Sequence, residues 1–260
     1  MKDLLKLEFR KLKNQKSFYI ITAIMVIFTL IAAFTSKFLA DFVTEANEAA
    51  SELSGETMPV SGLGILLGFA SMGNFQLLAA IFVSINVCDD YENSIVKNIF
   101  SRGYSRVNYC FAKFVYVLAV TSIMCLISVA LSAVLGAALF GIESADFGKV
   151  ILLLFLQYIV CMTCVSLFFC ISTALRKLGA SIAVNILVPS VFSLILGLID
   201  TLLIKSSDFA VSDGWFMNFT TDLSDLTVGA GRIAFCAAAS IIYFAAFTLL
   251  GTLAGKKAEI

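Results

Sequence analysis

Six stretches of more than 20 mostly apolar residues run through this chain, and they restrict the folds open to it more than any other feature of the sequence. They extend from about Phe18 to Ala40, Gly62 to Cys88, Phe114 to Phe140, Val150 to Leu175, Ser181 to Ile204 and Ile233 to Ala254. A helix rises about 1.5 Å per residue, so about 20 residues cross the roughly 30 Å hydrocarbon layer of a bilayer. Within that layer a backbone amide must find its partner inside the segment or a closed barrel, which makes helices the expectation for runs this long. The sequence therefore predicts an all-α polytopic membrane protein with six transmembrane helices.

Composition points the same way. The chain is 60% apolar and 14% charged, with only two prolines in 260 residues, a pattern suited to long helices rather than to the turn-rich connections of a sheet protein. No internal repeat or low-complexity linker divides it, so residues 1–260 are expected to form one domain. The first apolar run follows a basic stretch, as a secretory signal would, but it is long enough to span and ends without a small-residue cleavage pattern. It is read as the first span.

Orientation follows from the basic residues. With the N-terminus inside, Lys2, Lys6, Arg10, Lys11, Lys13, Lys16, Lys97, Arg102, Arg106, Lys113, Arg176, Lys177, Lys256 and Lys257 fall on the cytoplasmic side, fourteen of the 18 Lys and Arg. Lys37, Lys149, Lys205 and Arg232 remain outside, where the first loop is acidic with Asp41, Glu45, Glu48, Glu52 and Glu56. An excess of Lys and Arg marks cytoplasmic loops, so both termini are expected there. Residues 1–16 place Leu5, Phe9 and Leu12 on one helical face with bases mostly elsewhere. That pattern fits an amphipathic helix lying in the membrane interface, and equally a basic tail that only sets topology.

Several chemistries are excluded. The chain has no histidine, the commonest general base and metal ligand, so no metal site is expected and no catalytic residue is assigned. It contains no G-x-x-x-x-G-K-[ST] phosphate loop and no G-x-S-x-G nucleophile turn. Any dependence on ATP must come from another chain. The seven cysteines are odd in number and lie mostly in apolar runs, and the Cys161-x-x-Cys164 pair has no further ligands around it, so they are expected to pack as small hydrophobes.

The connection between the second and third spans is short, charged and patterned. It reads Asp89-Asp90-Tyr91-Glu92-Asn93-Ser94-Ile95-Val96-Lys97-Asn98-Ile99-Phe100-Ser101-Arg102-Gly103-Tyr104-Ser105-Arg106. Ile95, Ile99 and Phe100 fit one side of a brief helix, Arg102-Gly103 supplies a stop, and Ser105 is placed to cap the next helix. Such a helix across the inner membrane surface is a docking knob for a soluble partner.

This segment resembles the first intracellular loop of ABC-2-type transporter permeases. The resemblance rests on Glu92-Asn93-Ser94, Lys97-Asn98, Ser101-Arg102-Gly103 and Ser105-Arg106, followed by a helix carrying Lys113. The basic start, the six spans and the chain length are also similar to that family. Many members have Gly-Thr where this chain has Ser94-Ile95, which bears on the local turn. The resemblance implies the permease subunit of an ATP-driven transporter, not itself an enzyme. It implies a separate ATP-binding subunit in two copies, holding ATP and Mg, and a second permease copy as homodimer or heterodimer. Glu92, Asn93, Lys97, Asn98 and Arg102 would contact that ATPase; read without the resemblance, they are solvated loop charges. The family implies a bacterial plasma membrane and export, with peptide antibiotics or drugs, or self-protection against them, as the cargo class. No nucleic-acid partner is expected.

Within the spans, the second carries Asn74, Gln76 and Asn86 and the fifth carries Asn185, Pro189 and Asp200. Intramembrane polar groups face a bundle interior or a cavity, so Asn74, Gln76, Asn185 and Pro189 are candidates to line a pathway, and interhelical hydrogen bonding explains them as well. Trp215, Phe216 and Phe219 are expected to anchor the loop 205–232 at the outer interface. Gly64-x-x-x-Gly68 and Gly251-x-x-x-Gly255 match the small-residue pattern of close helix contacts. Two other readings stand beside the permease. An ion-coupled secondary transporter would call for paired mid-membrane carboxylates or an inverted repeat, and a non-transporting regulatory protein would use the loop only to bind.

Overall fold

The computed structural model describes residues 2–12, 15–50, 62–69, 74–141, 146–203 and 211–256. Among them the chain forms ten α-helices, one short 3-10 turn and no strand. The helices are α1 (Lys2–Leu12), α2 (Lys16–Ala50), α3 (Gly62–Gly68), α4 (Asn74–Glu92), α5 (Ile95–Ser101), α6 (Arg106–Phe140), α7 (Phe147–Leu175), α8 (Leu178–Leu203), α9 (Phe219–Asp222) and α10 (Ala230–Lys256). Glu52, Glu56, Lys13, Lys205 and Lys257 of the topology count lie outside the described residues.

Five helices, α2, α6, α7, α8 and α10, are long and apolar enough to cross a bilayer. The second predicted span, 62–88, forms as two pieces: α3, about 10 Å long, and α4, about 28 Å long at 1.5 Å per residue. Gly62 opens α3 against the C-terminal end of α6, where a Cβ built on Gly62 would lie 2.8 Å from the Gly136 carbonyl oxygen and one built on Gly136 would lie 2.6 Å from the Gly62 oxygen. Two glycines are what lets these backbones touch. The end of α3 is satisfied by the fully buried Gln157 of α7, whose Nε2 donates to the Leu67 carbonyl at 2.7 Å. A carbonyl in the last turn of a helix has no partner of its own, and in lipid water cannot supply one.

The bundle is built around α7. In that helix 67% of the most apolar stretch is buried, against 6–28% in the other four long helices. Helix α10 packs chiefly on α7, α4 packs on α7 and α8, and α2 packs on α6 and α4. Gly251 of α10 meets Cys170 of α7, and Gly255 meets Cys110 of α6, so the Gly251-x-x-x-Gly255 pattern marks a real helix contact. Ile20, Phe28, Phe34 and Phe38 of α2 and Leu194, Leu198 and Leu202 of α8 point outward, as side chains facing acyl chains should. All seven cysteines are free thiols, six of them buried.

Contacts sort into two ends. At the basic end α1, α5, the start of α6, the α7–α8 turn and the end of α10 meet. At the other end Asp200 of α8 accepts backbone N–H groups from Val211 and Ser212, while Arg232 of α10 pairs with Asp222 at 2.6 Å and Asp213 at 3.7 Å. Six crossings with α3 and α4 sharing one of them produce this alternation. Helices α2 and α6, at 35 residues each, overrun the predicted spans, because Ala, Glu and Lys beyond the apolar runs are good helix formers.

The aromatic loop departs from its expectation. Trp215 is 9% exposed, and Phe216 and Phe219 are fully buried. Trp215 lies 4.6 Å from Phe192 of α8, Phe216 lies 5.3 Å from Tyr243 and 5.7 Å from Phe247 of α10, and Phe219 lies 5.9 Å from Phe235. The loop folds back into the bundle instead of anchoring at the interface. Each aromatic ring buries enough apolar surface that packing on α8 and α10 outweighs a place among head groups.

Candidate functional site

At the basic end, α4 and α5 are joined by a sharp turn at Ser94, which sits in the left-handed region at φ 57°. A β-carbon in that region costs about 1–2 kcal/mol, so glycine would suit the position better than serine. Helix α5 then lies with Val96 buried and Ile99 and Phe100 half-buried against Tyr109 and Cys110 of α6. Phe100 meets Tyr109 edge-on at 5.8 Å. Gly103, at φ 83°, ends the helix as anticipated. Ser105 occupies the N-cap position of α6 in extended geometry, but its side chain makes no capping bond.

This seating leaves the other face of α5 open. Asn93, Lys97, Asn98 and Arg102 are all exposed. The Asn93 side chain bonds Asp89 at 2.7 Å. Glu92 is exposed too, yet its carboxylate turns toward the bundle and accepts the Leu178 backbone N–H at 2.7 Å, at the first turn of α8. Four of the five predicted contact residues thus share a solvent-facing surface, and the fifth sits at its corner.

Beneath α5 lies a buried ionic cluster that sequence reading did not single out. Lys113 of α6, 2% exposed, pairs with Glu8 of α1 at 3.0 Å and with Asp90 of α4. Asp90, 1% exposed, also pairs with Lys11 of α1 and accepts the Tyr109 hydroxyl at 2.9 Å. Two carboxylates and two ammonium groups make the cluster neutral, which is what permits its burial. Burial works against the Lys11 charge, but Asp90, Glu8 and Asp89 outweigh it and hold its pKa above the ordinary lysine value. Next to the cluster, Gln15 donates to Asn86 at 2.8 Å and accepts the Tyr116 hydroxyl at 2.9 Å.

The face of α1 that meets the protein therefore carries Leu4, Glu8 and Lys11, while Phe9 and Leu7 are exposed. Of the stripe Leu5, Phe9 and Leu12 expected in the membrane interface, Phe9 is exposed with its ring edge-on to Tyr116 at 5.7 Å, Leu5 is half-buried, and Leu12 packs half-buried on the core. The available signal was Lys113, a lone cation next to an apolar run, where a charge needs a buried partner.

Deeper in the bundle the structure brings all four predicted pathway residues together. Asn74, Gln76, Asn185 and Pro189 line one cavity of about 280 Å³ between α4, α7 and α8, with Phe168 and Met217 also in its wall. None of its lining residues is ionisable. Pro189 supplies no N–H, which deprives the Asn185 carbonyl of its usual helical donor. The Asn185 amide is fixed from below: its Nδ2 donates to Ser84 at 2.8 Å and to Ser172 at 3.0 Å, and Ser181 bonds both serines. These four side chains tie α4, α7 and α8 together under the cavity. Met217 belongs to the folded-back aromatic loop, so that loop forms part of the cavity wall.

Comparison with known proteins adds one finding. A family model described as ABC-2 family transporter protein matches residues 4–200, from α1 through most of α8. No curated protein matches the chain.

Proposed function

From the premise that the chain belongs to the ABC-2 family of transporter proteins, we propose that it is the permease subunit of an ATP-driven exporter, powered by a separate ATP-binding subunit. The observation that carries this reading is α5. It is a short helix, packed on one side by Val96, Ile99 and Phe100, that offers Lys97, Asn98 and Arg102 to solvent at the basic end. A charged helix seated on an apolar base transmits force without itself folding or unfolding. Asn93, Lys97, Asn98 and Arg102 are the proposed contacts with the ATPase, with Glu92 at their corner.

The complete transporter would contain two permease copies, as homodimer or heterodimer, and two ATPase copies in a bacterial plasma membrane, with both permease termini cytoplasmic. ATP and Mg would be held by the ATPase, and closure of the ATPase pair would displace α5 and the helices joined to it. Nucleotide drives such a change only by binding the two conformations with different affinity. The uncharged cavity of Asn74, Gln76, Asn185 and Pro189 serves as a segment of the pathway, with the aromatic loop as its outer closure. Amide groups beside apolar walls suit an amphipathic peptide or drug, the proposed cargo class.

Co-purification in detergent with the ATP-binding subunit tests the reading. Wild type should retain the ATPase, and Lys97→Glu with Arg102→Glu should release it while the permease stays folded. If the wild-type chain binds no ATPase under any nucleotide condition, the proposal fails.

A further inference from the structure

Two separate contacts join the α4–α5 corner to the turn between α7 and α8. Glu92 accepts the Leu178 N–H at 2.7 Å, and the Arg176 guanidinium lies 5.8 Å from the centre of the Tyr91 ring. Both partners on the far side belong to one three-residue turn, in which Arg176 adopts the left-handed conformation at φ 56°. A non-glycine residue at positive φ holds that shape only where neighbouring contacts impose it. A carboxylate at the start of a helix also meets the positive end of the helix dipole and an N–H that has no partner within the helix.

From these contacts we infer that Glu92 and Tyr91 are positioning residues, which latch the Arg176–Leu178 turn onto the α4–α5 corner so that a push on α5 moves α8. The inference rests on the proposed permease reading, and it gives Glu92 a role directed into the molecule. Helix α8 begins at Leu178 and carries Asn185, Pro189 and Ser190 into the cavity wall. The serine and asparagine knot extends the connection, since Ser84 of α4 bonds both Ser181 and Asn185 of α8. Displacement therefore reaches the cavity along α4 and α8 together. Helix α6, which the coupling loop enters directly, has no residue in the lining of that cavity.

The test uses the full permease–ATPase complex. Leu178→Pro deletes the single N–H that Glu92 accepts, and proline is tolerated in the first position of a helix. Ser190→Cys, on the cavity wall, reports movement through its rate of maleimide labelling, measured as the excess over protein without the added cysteine. With an intact latch, nucleotide should change that rate. With Leu178→Pro the nucleotide response should shrink by about five- to tenfold, the scale of a typical coupling between sites, while ATPase retention stays as in wild type. Tyr91→Leu should act in the same direction and Tyr91→Phe, which keeps the ring face for Arg176, should not.

A full response in Leu178→Pro, or a wild-type complex in which nucleotide leaves Ser190→Cys labelling unchanged, overturns the latch. Loss of ATPase binding in Leu178→Pro overturns it also, because the turn would then be a docking contact. Failure of wild type to hold an ATPase at all refutes the underlying permease reading instead.

Discussion

Replacing Lys113 by methionine should be among the most damaging single changes on the basic side of this protein. Lys113 is 2% exposed and bridges Glu8 and Asp90, whose side chains are 4% and 1% exposed. Removing its charge leaves two buried carboxylates facing one cation, Lys11. Breaking a buried ion pair by deleting one partner costs about 3–5 kcal/mol, most of it the penalty of the charge left behind. Here Lys11 still holds Asp90, and its side chain is 30% exposed, so solvent screens part of the excess. The lower end, about 3 kcal/mol, is the expected loss. For a chain of this size that corresponds to a fall in Tm of roughly 6–12 °C, at about 2–4 °C per kcal/mol.

The informative control is the double variant Glu8→Met with Lys113→Met, which removes one charge of each sign and leaves Asp90 with Lys11. Apolar replacement of a whole buried pair is often neutral or better, so the double variant should unfold within about 1 kcal/mol of wild type. Thermal unfolding of the four proteins of this cycle in detergent measures the coupling directly. A Lys113→Met variant within about 1 kcal/mol of wild type, or a double variant no more stable than the single, would refute the claim that neutrality of the cluster is what permits its burial.

Other positions carry expectations of their own. Ser94→Gly should stabilise the α4–α5 turn by about 1 kcal/mol, seen as a raised Tm, because glycine adopts the left-handed region without the penalty of a β-carbon. Gly136→Ala should cost about 1–3 kcal/mol by the same measurement, since its new carbon would meet the Gly62 carbonyl oxygen at 2.6 Å and backbone cannot swing aside. The attachment of α1 should also depend on alkaline pH. The folded-state pKa of Lys11 lies above its ordinary 10.5, so its stabilising contribution is fully present below pH 10.5 and fades as pH rises through the folded value. Protease sensitivity of α1 should stay flat from neutral pH to about pH 10.5 and increase only as pH rises beyond that. An increase already near neutrality would remove Lys11 from the account.

Much of the architecture was legible in the amino-acid order, because lipid demands long apolar helices and leaves little room for alternatives. Five spans and the brief α5 follow from hydropathy and from Gly103. The clustering of the four cavity-lining residues was legible for a related reason: Asn74, Gln76, Asn185 and Pro189 are polar or helix-breaking groups where nearly everything else is hydrocarbon. What periodicity could not convey was pairing across long separations. Glu8 and Lys113 are 105 residues apart, so the seam of α1 depends on a partner that no local pattern reveals. The same limit hid the division of the second span, which is stabilised by Gln157 of α7, and the inward fold of Trp215 and Phe216 onto α8 and α10. Hydropathy marks a residue as apolar without saying whether lipid, head groups or another helix will surround it.

The interrupted second span also sets a timetable for biogenesis. The Leu67 carbonyl finds its donor in Gln157, 90 residues downstream, and Gly62 finds its contact in Gly136. At about 5–20 residues per second of synthesis, the ribosome needs roughly 4 to 18 s to deliver that glutamine after Leu67 itself has been made. During that interval the open end of α3 has no bonded partner from α7 and cannot be left facing hydrocarbon. The packed position of α3 is therefore expected to form only after α6 and α7 have been made, well after the chain of α3 itself.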